Sequence, residues 1–145
     1  MSRSHVTAIE RTLNKTHHWL EEIRLEMGWE DQEKAYGALR AVLHALRDRM
    51  LPDEAVQLAA QLPTLVRGFY FAGWHPADKP LKYRDKQAFL ARVQQDAPNI
   101  TNDELELAVT AVFHRLSVEI PGGETDQVRD QLPGEVRELW ARSAL

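Results

Sequence analysis

Apolar residues recur at helical spacing along this chain. Val6, Ile9, Leu13, Leu20, Ile23 and Met27 stand in a 3,4 rhythm, with Thr16 in its one polar slot. At 3.6 residues per turn this makes one stripe on one helix face. Gly28 is a natural stop, because glycine readily takes the left-handed conformation that closes many helices. A second helix is expected from near Asp31, with Ala35, Leu39, Val42, Leu43, Leu46 and Met50 on one face. Its other sides carry Ala38, Ala41 and Ala45, small enough to let a neighbouring backbone approach. Further on, Thr101 and Glu104 fit a capping box and Ile100 with Leu105 fits a hydrophobic staple, so a helix should begin at Thr101. Short helices are expected after Pro52, carrying Val56, Leu58 and Leu62, and after Gly123, carrying Val128 and Leu132. Both end at Gln-Leu-Pro, where proline disfavours helix in the leucine before it yet suits the start of the next helix. No segment shows the alternation bounded by turn residues that a strand requires. The fold class expected is all-α.

The chain also repeats itself. Adding 70 to a position in the first half lands, without gaps, on a similar residue in the second. Between positions 38 and 70 there are twelve identities, among them Ala38/Ala108, Ala41/Ala111, His44/His114, Leu46/Leu116, Gln61/Gln131, Pro63/Pro133 and Arg67/Arg137. Leu43/Phe113, Met50/Ile120 and Tyr70/Trp140 keep type. Upstream the match thins but holds register at Trp19/Phe89, Leu20/Leu90 and Ile23/Val93. Two tandem units of about four helices each are therefore expected, at 16–72 and 86–142, joined by a linker at 73–85. They should pack with pseudo-two-fold symmetry into one globular bundle, since a repeated unit buries its apolar face against its neighbour.

Composition narrows this picture. A chain of 145 residues can bury a full core. It has no cysteine, which removes disulfides, thiolate metal sites and a cysteine nucleophile together. The first residues are polar and lack a signal-peptide core, and no run reaches the roughly 18 apolar residues of a membrane span. A cytoplasmic protein with no membrane partner is expected. Eighteen basic against 22 acidic residues give a net charge of -4, which disfavours nucleic acid as a partner of the whole molecule.

Certain segments resemble a known family. Ala38 to Arg49 (Ala-Leu-Arg-Ala-Val-Leu-His-Ala-Leu-Arg-Asp-Arg), Gln61-Leu62-Pro63, and Gly73-Trp74-His75-Pro76 followed by Lys79, Pro80 and Lys82 are similar to the bacterial domain of unknown function 2267. The likeness covers nearly the whole chain. It implies a small bacterial helical protein and supplies no catalytic residues.

His44 and His114 are the most interesting titratable residues, because they hold the same place in the two units. Brought together across an axis they would make a metal or acid-base pair, with Arg40 and Arg47 nearby to bind a small ligand. The plainer expectation is structural. His44 lies about 140 degrees from Leu39 on a helical wheel, so each ring should sit at the rim of the core and bond within its own unit. Asp48 stands one turn from His44, but its counterpart is Val118, which argues against a symmetric metal site. The adjacent His17 and His18 point about 100 degrees apart on a helix and cannot chelate one ion by themselves. No HExxH, phosphate loop or GxSxG occurs, and Gly122-Gly123 reads as a turn. The linker concentrates positive charge and aromatics in Trp74, His75, Lys79, Lys82, Tyr83, Arg84 and Lys86, a composition that can hold phosphates and stack bases. Its plainer reading is an anchored tryptophan with solvated lysines. The residues ask least for a non-catalytic module that binds a protein partner or itself, without metal or cofactor.

Overall fold

The computed structural model describes residues 6–143 as a bundle of α-helices. In order these are α1 Thr7–Met27, α2 Gln32–Arg49, α3 Pro52–Ala59, α4 Thr64–Phe71, α5 Lys86–Asp96, α6 Asn102–Glu119, α7 Gly122–Asp130 and α8 Gly134–Ser143. No strand occurs among the described residues. The spans of α6, α7 and α8 begin seventy residues after those of α2, α3 and α4. The match breaks at α5, which has 11 residues where α1 has 21.

Local chemistry sets the boundaries. Gly28 closes α1 at φ 69°, with its N–H donating to Leu25 O and the Trp29 N–H to Arg24 O. The Asp31 carboxylate accepts from the Lys34 N–H at the start of α2. Thr101 and Glu104 form the full capping box of α6, an arrangement worth about 1 kcal/mol. Ile100 and Leu105 are both buried beside it. Gly122 and Gly123 do not form a turn between helices; they open α7 directly behind Pro121. The first-turn N–H groups lack helical partners in any sequence, and Pro121 O accepts from Glu124 and Thr125 to start the helix.

The centre of the bundle is α2. Every residue from Ala41 to Asp48 is buried, so all sides of the helix are covered. It packs against α1, α3, α4, α5 and α6. The small faces of Ala38, Ala41 and Ala45 permit this crowding. In the second half α6 lies against α1, α5, α7 and α8. One continuous core runs through both halves, from Trp19 and Ile23 through Leu39, Leu43 and Leu46 to Phe113, Leu116 and Trp140.

The stripe on α1 divides. Thr16, Leu20 and Ile23 are buried, and the Thr16 hydroxyl donates to Thr12 O at 2.7 Å, which satisfies the polar slot within the helix. Val6, Ile9 and Leu13 instead stay 55%, 53% and 40% exposed. The first turns of α1 are largely exposed and lie beside the start of α4, where the Leu65 N–H donates to Thr12 Oγ1 at 2.8 Å.

Candidate functional site

His44 sits on α2 with 5% of its surface exposed. Its Nε2 lies 2.6 Å from the Phe69 carbonyl oxygen at the end of α4. A carbonyl only accepts, so Nε2 carries the hydrogen. Its Nδ1 lies 3.3 Å from the Asp96 carboxylate at the end of α5, a contact that favours the protonated ring. Burial outweighs it and pushes the His44 pKa below 6.5, assisted by the nearby charges of Arg47 and Arg40. Both ring nitrogens are therefore directed at fixed protein groups.

His114 is different. Its ring is about two-fifths exposed, and its Nδ1 lies 2.9 Å from the Glu26 carboxylate on α1. The two histidines share no partner. The expectation that each ring bonds within its own unit fails for both carboxylates: His44 reaches Asp96 of the second half, and His114 reaches Glu26 of the first. The cause is tertiary, since α5 lies on α2 and α1 on α6. Glu26 and Asp96 are themselves seventy apart, a legible signal that the sequence reading passed over.

Arg47 is buried, and its guanidinium donates to Asp48 Oδ1 at 2.9 Å, Tyr70 O at 2.7 Å and Ala72 O at 2.9 Å. It ties the last turn of α4 to α2, and its charge is met by a carboxylate, as a buried guanidinium requires. Asp48 does not serve His44. It accepts from Arg47 and, at 3.3 Å, from Arg92 of α5. Arg40 is half-buried on α2, one turn before His44. Neighbouring His17 and His18 diverge as expected: His17 contacts Gln32 Oε1 at 3.0 Å and His18 contacts Glu119 at 3.4 Å.

The linker is strapped to the end of α2. The Leu81 N–H donates to Asp48 O at 2.8 Å, and Arg49 Nε donates to Tyr83 O at 3.0 Å while its guanidinium lies over the Tyr83 ring. Trp74 packs against Phe71 and, like Tyr83, is partly buried on the core. Burial pushes the Tyr83 hydroxyl up to about 12. His75, Lys82 and Arg84 are exposed and Lys79 is half-buried. The two aromatics thus face the protein, away from the exposed cations.

A further network joins the halves at Glu104. Its carboxylate meets Lys34 Nζ at 2.5 Å and accepts from Trp29 Nε1 at 2.9 Å, contacts that hold its pKa at about 2. Lys34 also lies over the Trp29 ring, 5.0 Å from its centre. Open grooves lie elsewhere. One, of about 690 Å³ between α7 and α8, is lined mainly by Asp126, Arg129, Asp130, Arg137 and Glu138. Among the described residues no group of three His, Cys, Asp or Glu side chains is placed to hold a metal ion. No helix among the described residues is long and apolar enough to cross a membrane.

A family model described as "Uncharacterized conserved protein (DUF2267)" matches residues 16–139. The chain belongs to the DUF2267 family. The matched span runs from the buried Thr16 to the buried Leu139, so it takes in the core except Trp140 and leaves out the exposed first turns of α1. DUF2267 carries no assigned activity in its description, and no curated protein matches the chain.

Proposed function

We propose that this chain is a non-catalytic helical interaction module built from two copies of one unit, 16–72 and 86–142, joined by 73–85 and packed about a pseudo-two-fold axis. The observation that carries the interaction reading is the exposed half-stripe of Val6, Ile9 and Leu13. It continues in register the stripe that α1 buries further on, so it offers the ridge that another amphipathic helix would need. Reciprocal contacts support the two-copy reading. His44 meets Asp96 as His114 meets Glu26, and Lys34 meets Glu104, its own counterpart seventy residues on, as residues beside a two-fold axis do. A bacterial cytoplasm is the setting proposed. Ligand or metal chemistry at His44 and His114 is less well supported, since their rings have separate partners and that of His44 is buried. Anion binding through the linker is less well supported too, because Trp74 and Tyr83 pack on the core.

A photo-crosslinking residue placed at position 9 should form a discrete adduct in cells, and Leu13→Asp should abolish it. The same residue at Leu107, which is equally solvent-facing on α6, should form none. Equal crosslinking at 9 and 107 would refute the assignment of this face.

A further inference from the structure

The contacts between the halves follow a rule of sign. Glu22 of α1 faces Arg115 of α6 at 3.6 Å, and Arg92 of α5 faces Asp48 of α2 at 3.3 Å. Positions 22 and 92 are seventy apart, yet one is acidic and the other basic. Lys34 and Glu104, also seventy apart, have opposite charges and pair with each other. If a first half met another first half in the same geometry, Lys34 would face Lys34 and Glu22 would face Asp48. If a second half met a second half, Glu104 would face Glu104 and Arg92 would face Arg115. At these Lys, Arg, Asp and Glu contacts both like pairings set equal charges against each other, while the histidine–carboxylate contacts would survive in either; the unlike pairing satisfies all of them.

The covalent tie between the halves is slight. The linker is fastened to the first half through Leu81 and Tyr83, while Asp85 caps α5 and the Lys86 N–H donates to Glu135 of the second. The passage from one half to the other falls at the exposed Arg84. A rotation there leaves the contacts of each half with its own linker segment intact.

We propose that the face each half presents to the other is a charge-coded recognition surface, and that its second occupant is the opposite half of another copy of this chain. Two copies then exchange halves into a closed dimer, using contacts that the single chain already makes. The matching of positions rests on the two-copy reading; the charge pairs themselves do not.

The test uses two full-length chains with different tags. One carries Glu22→Arg and Glu26→Lys, which set a cation against its own Arg115 and remove the carboxylate partner of its His114. The other carries His114→Glu and Arg115→Glu, which set carboxylates against its own Glu26 and Glu22. Each chain alone loses both cross-half pairs and gains a repulsion between positions 22 and 115. In an exchanged dimer one interface is the natural one and the other has both pairs restored with reversed sign. Co-refolding an equimolar mixture from urea at high concentration should double the mass measured by light scattering. Both tags should be in the same particle, and the melting temperature should rise above that of either chain refolded alone. A mixture without two-tag dimers overturns the proposal, whether or not the single chains fold. Dimers formed equally by one chain refolded alone overturn the charge code. The two-copy reading fails by a separate measurement, an experimental structure in which residues 16–72 and 86–142 do not superpose.

Discussion

Replacing His44 and His114 by alanine, singly and together, separates two residues that look equivalent in the sequence. At position 44 the change deprives the half-buried Phe69 carbonyl of its donor, a loss of about 1–3 kcal/mol. The space left by the ring in a closed site adds roughly 1 kcal/mol. The total is about 2–4 kcal/mol. At position 114 an ion pair whose two side chains are each about two-fifths exposed is lost, worth about 0–1 kcal/mol. Unfolding entropy of about 2.1 cal/mol/K per residue gives roughly 0.3 kcal/mol/K for a chain of this length. The melting temperature should then fall by about 7–13 °C for His44→Ala and by at most about 3 °C for His114→Ala. The double variant should show the sum within about 0.5 kcal/mol, because the rings share no partner. His44 also carries a pH signature. Its folded pKa lies below the usual 6.5, so the unfolded chain takes up the proton first as pH falls. Stability is lost from about pH 6.5 down to the folded pKa, and His44→Ala should lack that component. Urea midpoints followed by circular dichroism between pH 5 and 8 measure all of this. Equal losses at the two positions, clear non-additivity, or an unchanged pH slope in His44→Ala would refute the reasoning.

Ala41→Leu and Ala111→Leu should each cost about 1–3 kcal/mol by overpacking, since both alanines are 1% exposed inside the bundle; urea midpoints that do not move would show that these faces yield. Glu104 is held at about 2 first by Lys34 and then by Trp29, so its contribution is present above 4.5 and is lost as pH falls from 4.5 toward 2. Glu104→Gln should lower stability near neutral pH by about 1 kcal/mol and flatten that acid limb; an acid limb as steep as in the unsubstituted chain would count against it.

Much of this protein was determined by its sequence. Helix ends depend on residues within a turn of each other, so Gly28, Asp31 and the Thr101–Glu104 box that opens α6 could be read directly, and helical periodicity placed α1 and α2. The same local reading went wrong at Gly122-Gly123, where two poor helix formers sit behind a proline that starts α7. What the sequence left open is which surfaces meet. Periodicity gives a helix an apolar face but not the length of it that a neighbour covers, so the single stripe read on α1 did not show that Val6, Ile9 and Leu13 are left exposed. The helical wheel put His44 at the rim of the core, because a wheel cannot show that α4 and α5 close over it. The partners of His44, His114, Glu104 and Arg92 are 52, 88, 75 and 44 residues away in the chain. Contacts at such separations depend on how whole helices pack, and packing is decided by the summed burial of the core rather than by any short motif.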